Sequence, residues 1–348
     1  MDKSLIKPVK KLLSDRSKKI VLVSHVNPDG DAIGSLLALY HFLKNTGFNN
    51  TVAISPNAFP SFLEWMPGSE DIVLGTKSSG LSGVKIKDAD LIFCLDFNDI
   101  ARTEDLSNRL IKARGTKILI DHHPDPQPHF DHVISQITAS STAEMIYEFI
   151  TGLESENIVN KTIAECLYAG IVTDTGSFSY GCNNPRTYEI VAHLMSMGID
   201  GEKIHRLIYD TYSEHRLRLL GHCLSSNLVV MHDQSTAYIF LSASDLKNFN
   251  YQEGDTEGVV NYGLSIKGIE LAAIFVERKE NIKISFRSEG NIDVNILARE
   301  YFNGGGHKNA AGGNFKDTLQ NTISYFESII KNLSREEFRA LQGVADNP

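Results

Sequence analysis

Side chains able to hold a metal ion recur at four places in the first half of the sequence. They are His25, Asp29 and Asp31; then Asp96; then Asp121, His122 and His123; then Asp174. Carboxylates and imidazoles without thiolates suit manganese, magnesium or iron better than structural zinc. A carboxylate bridging two such ions ~3.5–4 Å apart makes the clamp used in phosphoryl hydrolysis. Taken singly, an aspartate at a strand end is usually a cap or turn residue, and a lone histidine a satisfied surface or core group. The case for chemistry rests on convergence.

Convergence follows from the elements that carry these residues. KIVLVSH (19–25) reads as a buried strand, NTVAIS (50–55) as a second, ADLIFCLDF (89–97) as a third and TKILIDHH (116–123) as a fourth. Helical periodicity fills the gaps at AIGSLLALYHFLKNTG (32–47) and LSNRLIKARG (106–115). Strands alternating with helices predict a parallel sheet covered on both faces. All strand C-termini then share one edge, where ligands bind. Three of the four ligand groups follow such an end. Pro28 and Gly30 fold His25 and Asp29 together, and Asp31 is expected to cap the next helix. Helices are predicted at 141–153, with Ser141 and Glu144 as a capping box, and at 161–176, ending near Asp174.

From 184 to 227 the pattern is helical without strands, which reads as a linker. NLVVMH, TAYIFLSA, IELAAIFVER and NIKISFRS then predict a second sheet, with helices at DVNILAREYF and LQNTISYFESIIKNL. The expected fold class is α/β: a parallel-sheet domain over 1–183, a helical linker over 184–227, and a smaller mixed-sheet α/β domain over 228–340. The final GVADNP is expected to fray.

Composition excludes several classes. A chain of 348 residues suits two domains. No run of 18 apolar residues suggests a membrane span, and the polar, basic N-terminus lacks a signal-peptide core, so a cytoplasmic location is expected. Net charge −9 argues against holding long duplex nucleic acid, whose phosphates need many cations. The four cysteines are far apart and read as buried thiols.

The segments HVNPDGDAIGS (25–35), LDFNDIAR (95–102), DHH (121–123) and TDTGSF (173–178) resemble, in order, the four motifs of the DHH phosphoesterase superfamily. GGGHKNAAGG (304–313) resembles the glycine-rich motif of the DHH-associated C-terminal domain. The resemblance implies two Mn2+ ions, with Mg2+ or another divalent ion as substitutes. His25 and Asp29 would hold the first, Asp31, His122 and Asp174 the second, and Asp96 would bridge them. Asp121 would orient an imidazole and His123 would face the substrate phosphate. A water activated by the ion pair would attack phosphorus in line.

In the second domain the resemblance implies that Arg287, Gly305, Gly306 and His307 bind phosphate and nucleotide, with Arg102 a further candidate. Three successive glycines would expose backbone N–H groups to a ligand, although glycine clusters are usually loops. Manganese pyrophosphatases lack the GGGH motif, RecJ-like exonucleases are longer, and membrane-bound cyclic-dinucleotide phosphodiesterases carry extra segments. What remains is similar to bacterial nanoRNases, which act on very short oligoribonucleotides and adenosine 3′,5′-bisphosphate. A soluble cyclic-di-AMP phosphodiesterase is the close alternative; a polyphosphatase and a catalytically silent nucleotide-binding module are weaker ones. Homodimers are common in the family.

Overall fold

The structure is a computed structural model that describes residues 3–76, 79–153 and 158–332. It divides into two compact units, the first running to Thr211 and the second beginning at Tyr212.

In chain order the first unit contains α1 (Lys3–Leu12), β1 (Ile20–Val23), α2 (Gly30–Asn45), β2 (Thr51–Ser55), β3 (Val73–Leu74), α3 (Ser79–Asp88) and β4 (Leu91–Leu95). It continues through α4 (Ser107–Lys112), β5 (Thr116–Asp121), β6 (His132–Ser135), α5 (Thr142–Leu153), α6 (Lys161–Asp174), α7 (Pro185–Ser196) and α8 (Gly201–Tyr209). The six strands pair in parallel in the order β3-β2-β1-β4-β5-β6. The chain builds outward from β1 to one side, then returns to place β4 on the other. This creates a topological switch point between β1 and β4, where open α/β sheets bind ligands.

Strand periodicity explains the two cores. Ile20 and Leu22 of β1 pack with Phe93, Ile118 and Ile120 against α2, α5 and α6. Val21 and Val23 point the other way, with Ile92, Cys94 and Leu119, against Ile86 of α3 and Leu110 of α4. Both faces are buried, so these strands read as continuous apolar runs.

Helices α2, α5 and α6 meet closely because their contact residues are small. A Cβ on Gly34 would lie 2.5 Å from the Cys166 carbonyl oxygen and 3.0 Å from the Gly170 nitrogen. One on Gly170 would lie 2.6 Å from the Ala143 Cβ, and one on Gly30 would overlap the Thr173 side chain. These contacts set the distance between the start of α2 and the end of α6.

The second unit contains α9 (Glu214–Ser225), β7 (Leu228–Met231), β8 (Thr236–Leu241), α10 (Ala243–Asn248), α11 (Val259–Leu264), β9 (Leu271–Glu277), β10 (Ile282–Ser288), α12 (Val294–Tyr301), β11 (Gly305–His307), β12 (Ala310–Phe315) and α13 (Leu319–Asn332). Its sheet has the order β11-β12-β10-β9-β8-β7 and is antiparallel except between β8 and β9. Phe275, Phe286, Phe302 and Phe326 form the core beneath α12 and α13. Ile239, Ile274 and Val276 face α9 and α11.

The structure departs from the sequence reading in several places. The segment 184–227 is divided: α7 and α8 belong to the first unit and α9 to the second. Strands β3 and β6 were not foreseen, being short and half-exposed without an apolar run. The glycine-rich 304–313 segment forms the β11–β12 hairpin rather than a loop. A Cβ on Gly304 would overlap the Gly312 carbonyl oxygen, so glycine there serves close backbone approach. The final GVADNP lies outside the described residues. The four cysteines are buried and none is in a disulfide. Among the described residues no helix is long and apolar enough to cross a membrane.

The helix contacts yield a paired expectation. Gly34→Val should destabilise the protein by roughly 1–3 kcal/mol or more, because two backbones must separate. Gly221→Ala, on exposed α9 with nothing within 4 Å of its new methyl, should be stabilised by up to about 1 kcal/mol. Urea unfolding of both variants measures the contrast.

Candidate metal centre

Strand β1 ends at Val23 and hands the chain to His25. The ring Nδ1 lies 2.8 Å from the Val26 carbonyl oxygen, and Nε2 lies 3.3 Å from Asp96 Oδ2. A proton on Nδ1 satisfies the carbonyl and leaves Nε2 available as a ligand. The turn through Pro28 then opens α2, whose N-cap is Asp29, not Asp31. Asp29 Oδ1 accepts from the Asp31 and Ala32 amides, each at 3.0 Å. The first helical residue, Gly30, has no room for a side chain beside Thr173, and the cap lies two positions before Asp31.

Freed from capping its own helix, Asp31 accepts from the start of another. The Thr142 amide donates to Oδ2 at 2.7 Å and the Ala143 amide to Oδ1 at 2.8 Å. Ser35 Oγ adds a longer contact at 3.3 Å. The α5 N-terminus thus neutralises part of a buried charge with its own unsatisfied donors. The expected capping box is half present. Ser141 Oγ accepts from the Glu144 amide at 3.0 Å, but the Glu144 carboxylate turns to Ser140 and Thr187.

Asp96 follows β4 in the left-handed region, with φ of 66°. Aspartate tolerates this conformation better than most residues, and such strain gathers at functional sites. Its Oδ1 accepts from Thr142 Oγ1 at 2.9 Å. One ligand atom each from His25, Asp29 and Asp96 lies within 4.8 Å of the others, and the same is true of Asp31, Asp96 and His122. Asp96 is common to both, and to a third group with Asp121 and His123.

His122 and His123 follow β5 and diverge. His122 Nδ1 lies 3.3 Å from the Ala139 carbonyl oxygen. Its Nε2 faces Asp174 Oδ2 at 3.5 Å, Asp96 Oδ1 at 3.8 Å and Asp31 Oδ2 at 3.9 Å. These separations exceed hydrogen bonds. They leave His122 Nε2 facing three carboxylate oxygens beyond hydrogen-bond reach, an arrangement of ligand types a divalent ion can share. His123 Nδ1 lies 2.7 Å from Asp121 Oδ1, while its Nε2 lies 3.1 Å from Arg102 Nη1. The arginine can only donate, so the partners assign a neutral ring with its proton on Nδ1. Arg102 also anchors two loops, since its carbonyl accepts from the Val26 amide at 2.8 Å.

The electrostatics favour a cation. Burial pushes the Asp31 carboxyl well above the usual range, and Asp96, Asp174 and Asp29 add to it. Burial likewise raises Asp174 to about 6, with Asp29 and Asp96 contributing and His122 opposing. Asp96 is held below the ordinary range: burial acts upward, but the hydrogen bond with His25 and the surrounding imidazoles prevail. His25 and His122 are raised by these carboxylates despite burial. Asp121 is fully buried, and its Oδ2 has no hydrogen-bond partner. An orphaned carboxylate oxygen beside a crowd of acids fits a divalent ion held by carboxylates and imidazoles.

In the second unit, Arg287 pairs with Ala310 on β12, and Ala310 with His307 on β11. Directly paired residues share a face, so Arg287 and His307 flank the Ala310 methyl group. Phe286, Ala311 and Gly306 form the next row, toward the aromatic core. The glycine amides are less open than expected. Gly304 donates to the Ala298 carbonyl at 3.0 Å and Gly306 to Asn295 Oδ1 at 2.9 Å. Gly306 needs its residue type, with φ of 151° and the Ala310 oxygen 2.5 Å from a Cβ position. The sequence reading missed Thr142, which carries no ligand chemistry of its own. Its only signal was its place beside the predicted cap.

Comparison with known proteins agrees with this architecture. The "DHH family, N-terminal domain" model matches residues 19–171 and the "DHHA1 domain" model residues 233–333. The chain belongs to the DHH family and is a phosphoesterase. It is 29% identical over 315 residues to the Bacillus subtilis bifunctional oligoribonuclease and PAP phosphatase NrnA, covering 90% of this chain and 95% of that one. It is 25% identical over 319 residues to the Listeria monocytogenes cyclic-di-AMP phosphodiesterase PdeA, covering 88% of this chain and 46% of that one. A crystal structure of an exopolyphosphatase-related protein from Bacteroides fragilis superposes with a TM-score of 0.90 at 43% identity, covering 98% of each chain.

Asp174 gives the site a pH signature. Its carboxyl titrates near 3.8 when unfolded and about 6 when folded. The folded chain retains the proton in between and loses stability as pH rises through that window. Metal-free Asp174→Asn should therefore gain stability over wild type near pH 7.5 and little near pH 4, with the gain reduced by solvent screening because the Asp174 side chain is 31% exposed. Urea unfolding in chelator reads the difference; an equal offset at both pH values would contradict this cause.

Proposed function

We propose that this protein hydrolyses very short oligoribonucleotides, including linear dinucleotides such as pApA, and adenosine 3′,5′-bisphosphate, with two divalent cations, Mn2+ in preference to Mg2+. The observation that carries the reading is the pair of ligand groups sharing Asp96, in a chain similar to NrnA over nearly the full length of both. His25 and Asp29 would hold one ion, Asp31, His122 and Asp174 the other, and Asp96 both. Bound there, the ions supply Lewis acidity toward phosphoryl oxygens and lower the pKa of water.

The protein's own groups do the rest. Asp121 fixes the His123 ring by accepting from Nδ1, which leaves Nε2 as the atom facing Arg102. The Arg102 guanidinium is a fork of donors suited to a phosphate oxygen. In this reading His123 and Arg102 act together, the arginine neutralising charge as phosphorus is attacked. Arg287, Gly305, Gly306 and His307 would bind the nucleotide, with Arg287 and His307 gripping phosphate from either side of Ala310. A cytoplasmic location and small nucleotide substrates go with this reading.

A second reading, hydrolysis of cyclic-di-AMP, is favoured by the likeness to PdeA. Assays of manganese-loaded protein against pApA, adenosine 3′,5′-bisphosphate, cyclic-di-AMP, polyphosphate and pyrophosphate separate the readings. The first two should be cleaved fastest; turnover of pyrophosphate or polyphosphate alone would overturn the nucleotide reading.

Asp96→Asn keeps a residue type that accepts left-handed backbone, so it tests the charge more cleanly than Asp96→Ala. Both should lose more than the ~10–100-fold typical of removing a partner of a ligand, measured as kcat at saturating Mn2+. Activity retained by either would sink the assignment of Asp96.

A further inference from the structure

We infer that Thr142 is a positioning residue for the carboxylate cluster, setting the spacing of Asp31 and Asp96 by donating to both. This rests on the divalent-cation reading above. Its amide donates to Asp31 Oδ2 at 2.7 Å, and its hydroxyl donates to Asp96 Oδ1 at 2.9 Å. These two oxygens are the ones that face His122 Nε2, at 3.9 and 3.8 Å. One residue therefore reaches both carboxylates on the side where they approach each other.

The hydroxyl has a specific task. Asp96 sits on left-handed backbone at the end of β4. Nothing in that local conformation fixes the rotation of its carboxylate. A hydroxyl taking one lone pair of Oδ1 fixes that rotation. It leaves Oδ2 toward His25 and the remaining Oδ1 lone pair toward His122. Thr142 is fully buried, so its hydroxyl has no water to fall back on, and the bond is strong for want of an alternative. The donors also offset the repulsion between two buried anions, which would otherwise push them apart.

The residue can do this because its own mount is rigid. It opens α5, where amides lack partners within the helix. Ser140 and Thr187 converge on one oxygen of Glu144, tying the start of α5 to α7. The Ala143 methyl faces Gly170 on α6. Threonine adds a β-branch that restricts its own χ1, so donor position follows helix position.

The test separates the hydroxyl from the packing. Thr142→Val is nearly isosteric without the donor, Thr142→Ala removes both donor and branch, and Thr142→Ser restores the donor. Mn2+ binding is measured by titration calorimetry, together with the EPR signal of the bound ion and the thermal unfolding of chelator-treated protein. Valine and alanine should weaken Mn2+ binding about 10–100-fold, and serine no more than about threefold. If valine cannot fold, alanine carries the comparison with serine. The inference is overturned if the folded donor-less variants bind Mn2+ as wild type does, or if serine binds as weakly as they do. Wild-type protein that takes up no Mn2+ would overturn the cation reading itself, a result visible before any variant is made.

Discussion

Three aspartates are held within 4 Å of one imidazole nitrogen at one edge of a parallel sheet, Asp31 and Asp96 buried and Asp174 partly open to solvent. Like charges so close raise the free energy of the folded chain, most of all between the buried pair. The shifted titration of Asp31, Asp174, His25 and His122 expresses that conflict in the metal-free state. A divalent ion would resolve it by replacing protons with a stronger positive charge. In the proposed reading metal binding would then be linked both to folding and to proton release. Much of the local architecture can be understood as what keeps these acids together until the ion arrives.

Three devices do so, and each comes from a different part of the chain. The α5 N-terminus lends its amides to Asp31. Asp96 is forced into left-handed backbone, which turns its side chain back over the end of β4. Glycines at 30, 34 and 170 let α2 and α6 approach until Asp31 and Asp174 share a neighbour. The switch point between β1 and β4 makes the convergence available at all, because two adjacent strand ends there release their chains in opposite directions. Remote packing thus reaches the chemistry: a methyl group added to a helix contact moves a ligand.

The second unit follows a different logic. Its sheet is mostly antiparallel and its core is aromatic, with Phe275, Phe286, Phe302 and Phe326 in mutual contact. Its glycine-rich segment is strand rather than loop, and two of its amides are spent on the protein itself. Its Arg287 and His307 side chains stand on one face, in register with Ala310. In the proposed reading a metal centre would fix the class of reaction and groups such as these the choice among phosphoesters.

The parallel sheet, the helices between its strands and the placement of the acids and histidines at strand ends were legible in the residues alone. Those follow from periodicity, which is local, and from the rule that parallel strands end on one edge. The sequence identified Gly304–Gly306 as special without the close backbone approach at Gly304 and Gly306, because close approach and exposure to a ligand demand the same residue. It assigned the cap of α2 to Asp31, since cap preference cannot see that the Asp31 carboxylate accepts from the distant Thr142 and Ala143 amides. It passed over Thr142, whose donors matter only where α5 begins beside Asp31 and Asp96, residues more than forty positions away in sequence. Which carboxylate caps its own helix and which accepts from another was settled by the folded arrangement of α2, α5 and β4. Hydrogen bonds between distant segments are assigned by packing, and packing leaves no period in the sequence.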